Sequence, residues 1–283
     1  MIAHLHRLAA MGLIAAGFAA ATAAEPAVTY LTPETFKPDV GQTLTLRVNT
    51  GSAARTDLAP WPADQLNWFF VRGGGTQQNR PNIAAKAHDA NAAEFAVSQP
   101  GVSVIAVNFK PSVVEMSGDD LKRFLLQNVA GAERDPRVAA LNGKTTVRVR
   151  RIESATALVR APERSGHELA PSAIATSKLG LPGELRSLMD PTVANAGSDW
   201  AVRIYIEGSN RPGGKVQATS LADGKTQSAI ADASGAARFH IGTGGVWRVE
   251  FHDAQPLQND PQADWVLRSA TLSFEVPTEG AGK

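Results

Sequence analysis

Cysteine is absent from all 283 residues, which excludes disulfides, thiolate metal sites and cysteine nucleophiles together. Stability must therefore come from apolar burial, and the length suffices for two domains of about 100–200 residues each. Histidine is scarce. Of the six, His4 and His6 precede Glu25, leaving His88, His167, His240 and His252, none of them at the i, i+2 or i, i+4 spacing of a local metal chelate. An excess of either charge is lacking too: Lys and Arg total 28 and Asp and Glu 27, with Arg7 the single charged residue before Glu25. Nucleic acid and anionic membranes recruit clustered basic residues, and the densest group here, Arg148, Arg150 and Arg151, reads as a solvated strand face.

Catalytic signatures are also missing. There is no Gly-x-Ser-x-Gly nucleophile elbow. Gly73-Gly74-Gly75 is followed by neither a phosphate-binding lysine nor a helix start, so it reads as a hairpin turn. Asp119 and Asp120 fall at a helix N-terminus, where the dipole favours carboxylates without any catalytic purpose. Asp232-Ala233-Ser234-Gly235 lacks the carboxylate density of a calcium loop. No catalytic or cofactor-binding residue is assigned, and the chain is expected not to be an enzyme; a hydrolase with dispersed residues is the least favoured alternative.

What is present begins with an address. His4, His6 and Arg7, an apolar segment over 8–20 and the small residues Ala21-Thr22-Ala23-Ala24 form the pattern of a secretory signal peptide over 1–24. The apolar segment is too short for a membrane span, and no later run is long enough either. The expected compartment is the bacterial periplasm.

The rest is mainly β. Leu44, Leu46 and Val48 alternate with Thr45 and Arg47, the period of a half-buried strand. Residues 66–71 read as an inner strand. Those ending at Val97 and resuming at Val102, around Gln99-Pro100-Gly101, read as a hairpin. The period then changes to helical for Leu121, Phe124, Leu125 and Val129, with Ser117 and Asp120 placed as a capping box, predicting a helix over 119–130 that packs on an N-terminal sandwich. A second short helix is predicted over 136–143, and a strand over 145–149. Residues 161–199, rich in Pro, Ser, Gly and Ala, read as a linker. Six or seven short strands between 200 and 277 fill a C-terminal sandwich, with 242–245 as a hairpin loop and Trp200, Trp247 and Trp265 as packing anchors. The predicted architecture is two β-sandwich domains, at 25–160 (with one or two short helices) and 200–277, followed by a tail at 278–283.

The order of short motifs resembles the domain of unknown function 4198 family, whose members were once labelled the periplasmic component of an ABC-type cobalt transport system. The resemblance rests on Pro33-Glu34-Thr35-Phe36, Gly41 and 44–48; on Val114-Glu115-Met116 leading into Asp120-Leu121 and Phe124-Leu125; on Leu179-Gly180-Leu181-Pro182 and Asp190-Pro191; and on 244–249, His252, Asp264-Trp265 and 270–274. It implies an exported two-domain β-rich protein with an Ig- or transthyretin-like C-terminal module and a link to transition-metal handling. Many members begin with a His-containing segment, whereas Ala27-Val28-Thr29-Tyr30-Leu31 has none.

The function expected from these features is that of a periplasmic binding or accessory protein, serving nickel or cobalt uptake through an envelope transporter or receptor. His252 is the best candidate metal ligand and Asp264 its candidate partner. The competing reading makes His252 a satisfied residue of the packing. A structural module contacting an envelope protein or polysaccharide is the alternative function.

Overall fold

The computed structural model describes residues 28–52, 56–74, 76–79, 83–163 and 170–278; the expected signal peptide, His167, Gly75 and 279–283 lie outside them. In chain order the N-terminal strands are β1 (Val28–Pro33), β2 (Thr43–Gly51), β3 (Thr56–Ala59), β4 (Leu66–Gly73), β5 (Thr76–Asn79), β6 (Ala92–Ala96), β7 (Gly101–Phe109) and β8 (Ser112–Met116). Helices α1 (Gly118–Asn128) and α2 (Pro136–Ala139) precede β9 (Val147–Ala161). The C-terminal strands are β10 (Gly183–Ser187), β11 (Asp199–Ile206), β12 (Ser209–Asn210), β13 (Lys215–Ser220), β14 (Thr226–Ile230), β15 (Ala236–His240), β16 (Gly245–Pro256) and β17 (Trp265–Val276).

The fold is mainly β, and its three sheets share one spine. A 9-stranded sheet runs β14-β13-β16-β17-β9-β7-β4-β5, with β8 also paired to β9. Residues 154–161 of β9 are buried on both faces, as a continuous apolar run through Ala155, Ala157, Leu158 and Val159 requires. Each face is therefore covered. On one, β1, β2, β3 and β6 form a 4-stranded sheet whose Leu31, Leu44, Leu46 and Phe95 pack on Phe69, Ile105, Val107 and Val159. On the other, β10, β11, β12 and β15 pack Leu185, Trp200, Val202 and Phe239 on Trp247, Val249, Leu272 and Phe274, closing an Ig-like sandwich. Trp200, Trp247 and Trp265 are all buried, as the sequence predicts.

The boundary expected at 161–199 is crossed by hydrogen bonding. β17 pairs with β9 in parallel, Trp265 opposite Val149 through Ser273 opposite Ala157, so both sandwiches are built on the same sheet. Nor is that segment featureless. The Glu184 carboxylate accepts the backbone N–H groups of Leu179, Gly180 and Leu181 at 2.8, 2.8 and 3.3 Å, and Leu181 packs on Phe70 and Ala106. Arg160 meets Asp190 at 2.7 Å with both side chains buried, and Asp190 also accepts from Ser172 N and Thr192 N.

Two expected hairpins are crossovers instead. β6 pairs with β2 while β7 pairs with β4 and β9, so Gln99-Pro100-Gly101 carries the chain between sheets. β15 pairs with β11 and β16 with β13 and β17, placing His240 opposite Asp199 and not Trp247. A tight turn reverses the chain without choosing its sheet. β4 and β5, by contrast, do pair as an antiparallel hairpin, with Gly73 opposite Thr76.

α1 begins as its capping box predicts: Ser117 Oγ accepts from Asp120 N at 3.1 Å. Gly118 lets this first turn lie against Leu141, whose carbonyl oxygen would sit 2.1 Å from an added Cβ. The apolar face of α1 packs Leu121, Phe124 and Leu125 on Val147, Val149, Trp265 and Leu267, which belong to β9 and β17, not on the N-terminal sandwich alone. Among the described residues no helix is long and apolar enough to cross a membrane. Because the Phe124 ring is buried in this contact, Phe124→Ala should destabilise the fold by about 3–5 kcal/mol in urea unfolding. A loss under about 1 kcal/mol would show that α1 is peripheral.

Candidate functional site

On the face of the large sheet that carries α1 and β1, strict alternation along β16 sets Arg248, Glu250 and His252 in one row. Their partners on β17 are Ser273, Thr271 and Ser269, and on β9 Glu153 lies opposite Ser269 and Arg151 opposite Leu267. The middle of an otherwise apolar sheet face is thus polar. β1 closes it: Tyr30 donates its hydroxyl to the Glu250 carboxylate, and Thr271 Oγ1 donates to Thr29 O at 2.7 Å. Arg248 lies over the Tyr30 ring, 5.3 Å from its centroid, and donates to Thr56 Oγ1 at 2.9 Å. Burial pushes the Glu250 carboxyl and the Tyr30 phenol up, and the Tyr30 hydrogen bond opposes the shift on Glu250.

Beside this row the cover is incomplete. A cleft of about 460 Å³ opens between β2, the segment 59–65 and the sheet, with Glu153 and Arg151 among the residues that line it. Trp61 and Phe109 supply apolar wall, while Asp64 and Lys110, both exposed, stand at the mouth. Trp61 is fixed by an Nε1–H bond to Ile83 O at 3.0 Å and by edge contact with Phe69. Arg151 Nη2 donates to Glu153 Oε1 at 2.6 Å, and the Asn108 amide holds the Glu153 backbone carbonyl at 3.2 Å. Burial pushes the Glu153 carboxyl up, opposed by the Arg151 charge and by the hydrogen bonds from Arg151 and Thr29. Arg148 and Arg150 do take the solvated face expected of them, pairing with Asp264 and Asp260 at 3.1 and 2.6 Å. Arg151 departs from that expectation because its odd position points to the covered side.

The two residues singled out as metal ligands are not brought together. His252 is 2% exposed, with Nδ1 2.9 Å from Ser269 Oγ and its ring edge-on to Phe124 at 5.0 Å. Asp264 lies opposite Leu257, five positions along the hairpin, or about 16 Å at strand rise. It accepts from Arg148 N at 2.9 Å and pairs with the guanidinium, which holds its carboxyl below the usual range. Among the described residues, no three His, Asp or Glu side chains converge as a metal site would require.

Burial, reinforced by the nearby Arg151 charge, pushes His252 down to about 3, so the ring is neutral at ordinary pH. The unfolded chain takes up this proton below about 6.5 while the native protein does not, and His252 therefore removes stability as pH falls from there toward 3. The loss should approach about 1.4 kcal/mol per pH unit. His252→Asn should be less stable at pH 7 by about 1–3 kcal/mol, through the disturbed Ser269 contact, yet lose less on acidification than the parent. Urea unfolding at pH 7 and 4.5 measures both; parallel losses would mean that His252 is protonated in the native state.

No curated protein matches the sequence. Solved structures similar to it include two at low sequence identity. A tetra-tandem repeat in the extending region of a large adhesion protein is 14% identical at a TM-score of 0.20, over 88% of this chain and 49% of that one, so the chain spans about half of its length. The D0-D1 domain of intimin is 13% identical at a TM-score of 0.19, over 87% of this chain and 96% of that one. At such scores neither likeness bears on function. The family model described as "Domain of unknown function (DUF4198)" matches residues 27–254, most of the chain, and the protein belongs to that family.

Proposed function

We propose that the protein is an exported, non-enzymatic binding or accessory protein of the bacterial periplasm, and that it holds a small ligand in the cleft above Glu153. One observation carries this: a concave site of ligand size, with apolar walls, has a desolvated ion pair among its lining residues. The composition of the cleft favours binding over turnover. Among the described residues, no imidazole stands beside its hydroxyls Thr29, Thr50 and Ser112 on the lining. Export is supported by the sequence pattern before Glu25. A role in nickel or cobalt handling would need ligands other than His252 with Asp264, which sit in separate surroundings.

Ser112 is exposed at the cleft, so Ser112→Trp should fill the mouth without disturbing the core. In a thermal-shift screen of small amines, acids, sugars and metal ions, at least one compound should raise the melting temperature of the parent by several degrees and leave Ser112→Trp unmoved. A silent screen, or shifts of equal size in both proteins, would refute the cleft as the ligand site.

A further inference from the structure

The cleft's donors and acceptors are unequally spent. Both hydrogen bonds to the Glu153 side chain fall on one oxygen: Arg151 Nη2 and Thr29 Oγ1 each approach Oε1, at 2.6 and 3.5 Å. Oε2 has no hydrogen-bond partner among the described residues, although Glu153 is 14% exposed and lines the cleft. The cations are committed elsewhere. Arg151 is engaged with Glu153, and Lys110 Nζ donates to the backbone carbonyl of Asp64 at 2.9 Å. The Asp64 carboxylate at the mouth adds acceptor oxygens. A half-used carboxylate in a poorly solvated cleft gains most from a positively charged N–H donor, and an aromatic wall tolerates that charge.

We propose that this cleft takes a small organic cation, an alkylammonium or guanidinium compound whose N–H groups donate to Glu153 Oε2 while its apolar body lies along Trp61 and Phe109. The inference rests on the cleft being the ligand site. Burial pushes the Glu153 carboxyl up against the pull of Arg151, and a second cation at Oε2 would add to that pull and favour the ionised form. The other titratable groups near it are Arg151 on its own strand, Glu250 and His252 on β16, Tyr30 on β1, and Asp64 and Lys110 at the mouth. His252 is neutral and bonded to Ser269, and Glu250 is occupied by the Tyr30 hydroxyl, which leaves Glu153 Oε2 as the acceptor open to the cleft.

Calorimetric titration of the full-length protein with n-hexylammonium, hexanoate and hexanol tests this. Hexylammonium should bind, and hexanoate and hexanol should not. Glu153→Gln, which keeps the shape and removes the charge, should weaken binding by roughly ten- to a hundredfold. Should that variant fail to fold, the preference of the parent for hexylammonium over hexanoate and hexanol still decides. Absence of hexylammonium binding, or equal binding of hexanoate or hexanol, would overturn the proposal. In those cases, ligand shifts in the parent that Ser112→Trp abolishes would leave the cleft standing as a site of different chemistry, whereas a silent screen would remove both.

Discussion

Parallel pairing of β17 with β9 is the constraint on which the rest of the molecule depends. Parallel neighbours need a long crossover, and here that crossover is the entire C-terminal sandwich, from Ala161 to Trp265. The pairing also makes β9 and β17 central strands, and the run 154–161 of β9, apolar on both faces, needs a cover on each side. That explains why the two smaller sheets sit on opposite faces of the large one. The Arg160–Asp190 pair lies where the chain leaves β9 for the other face. With Asp190 receiving Ser172 N and Thr192 N as well, the pair is fully hydrogen-bonded, the condition under which a buried ion pair is tolerable.

The polar row follows from the same geometry. Of the N-terminal 4-stranded sheet only the edge strand β1 reaches the stretch of the large sheet where β16, β17 and β9 carry Glu250, Ser269 and Glu153, so β1 covers it from one side and α1 from the other. Each lid brings its own chemistry: β1 contributes the Tyr30 hydroxyl and Thr29, α1 only the edge of Phe124. The difference decides the fate of the two ends. At the α1 end an apolar lid keeps His252 neutral and bonded to Ser269. At the β1 end the lid stops beside Glu153, and the gap between it and the segment 59–65 is the cleft.

Much of this was legible in the sequence, and what was not has identifiable causes. Period-two alternation located most of the strands, and the Ser117–Asp120 box placed α1, because both signals are local. The partner of a strand is not local. Gln99-Pro100-Gly101 and 242–245 have hairpin composition, yet each passes the chain from one sheet to another, a choice set by which apolar face must be covered. The reading of 145–149 as one short strand missed that β9 runs to Ala161, since its second half is apolar on both faces and so has no alternation to detect. The site was missed for a related reason. Arg148, Arg150 and Arg151 look like one basic group, but phase separates them: Arg151 and Glu153 share the parity of Val149, Ala155 and Ala157, all buried. Two opposite charges in the apolar phase of a strand were the available signal. His252 drew attention as a rare residue type, and rarity says nothing about exposure.

Cores of the size found on either face show that this fold has no shortage of apolar packing, so a row of buried ionisable groups is not needed for stability. Glu250 with Tyr30 is at least a closed system, each satisfying the other. Glu153 is different, because its desolvation is offset through one oxygen while the second stays open to a cleft walled by Trp61 and Phe109. An apolar side chain at 153 would cost less to bury and would continue the phase of Val149 and Ala155. Where a sequence breaks its own pattern with a charge, leaves that charge partly unsatisfied, and places it in a ligand-sized opening, the departure is most economically explained by something that arrives to complete it.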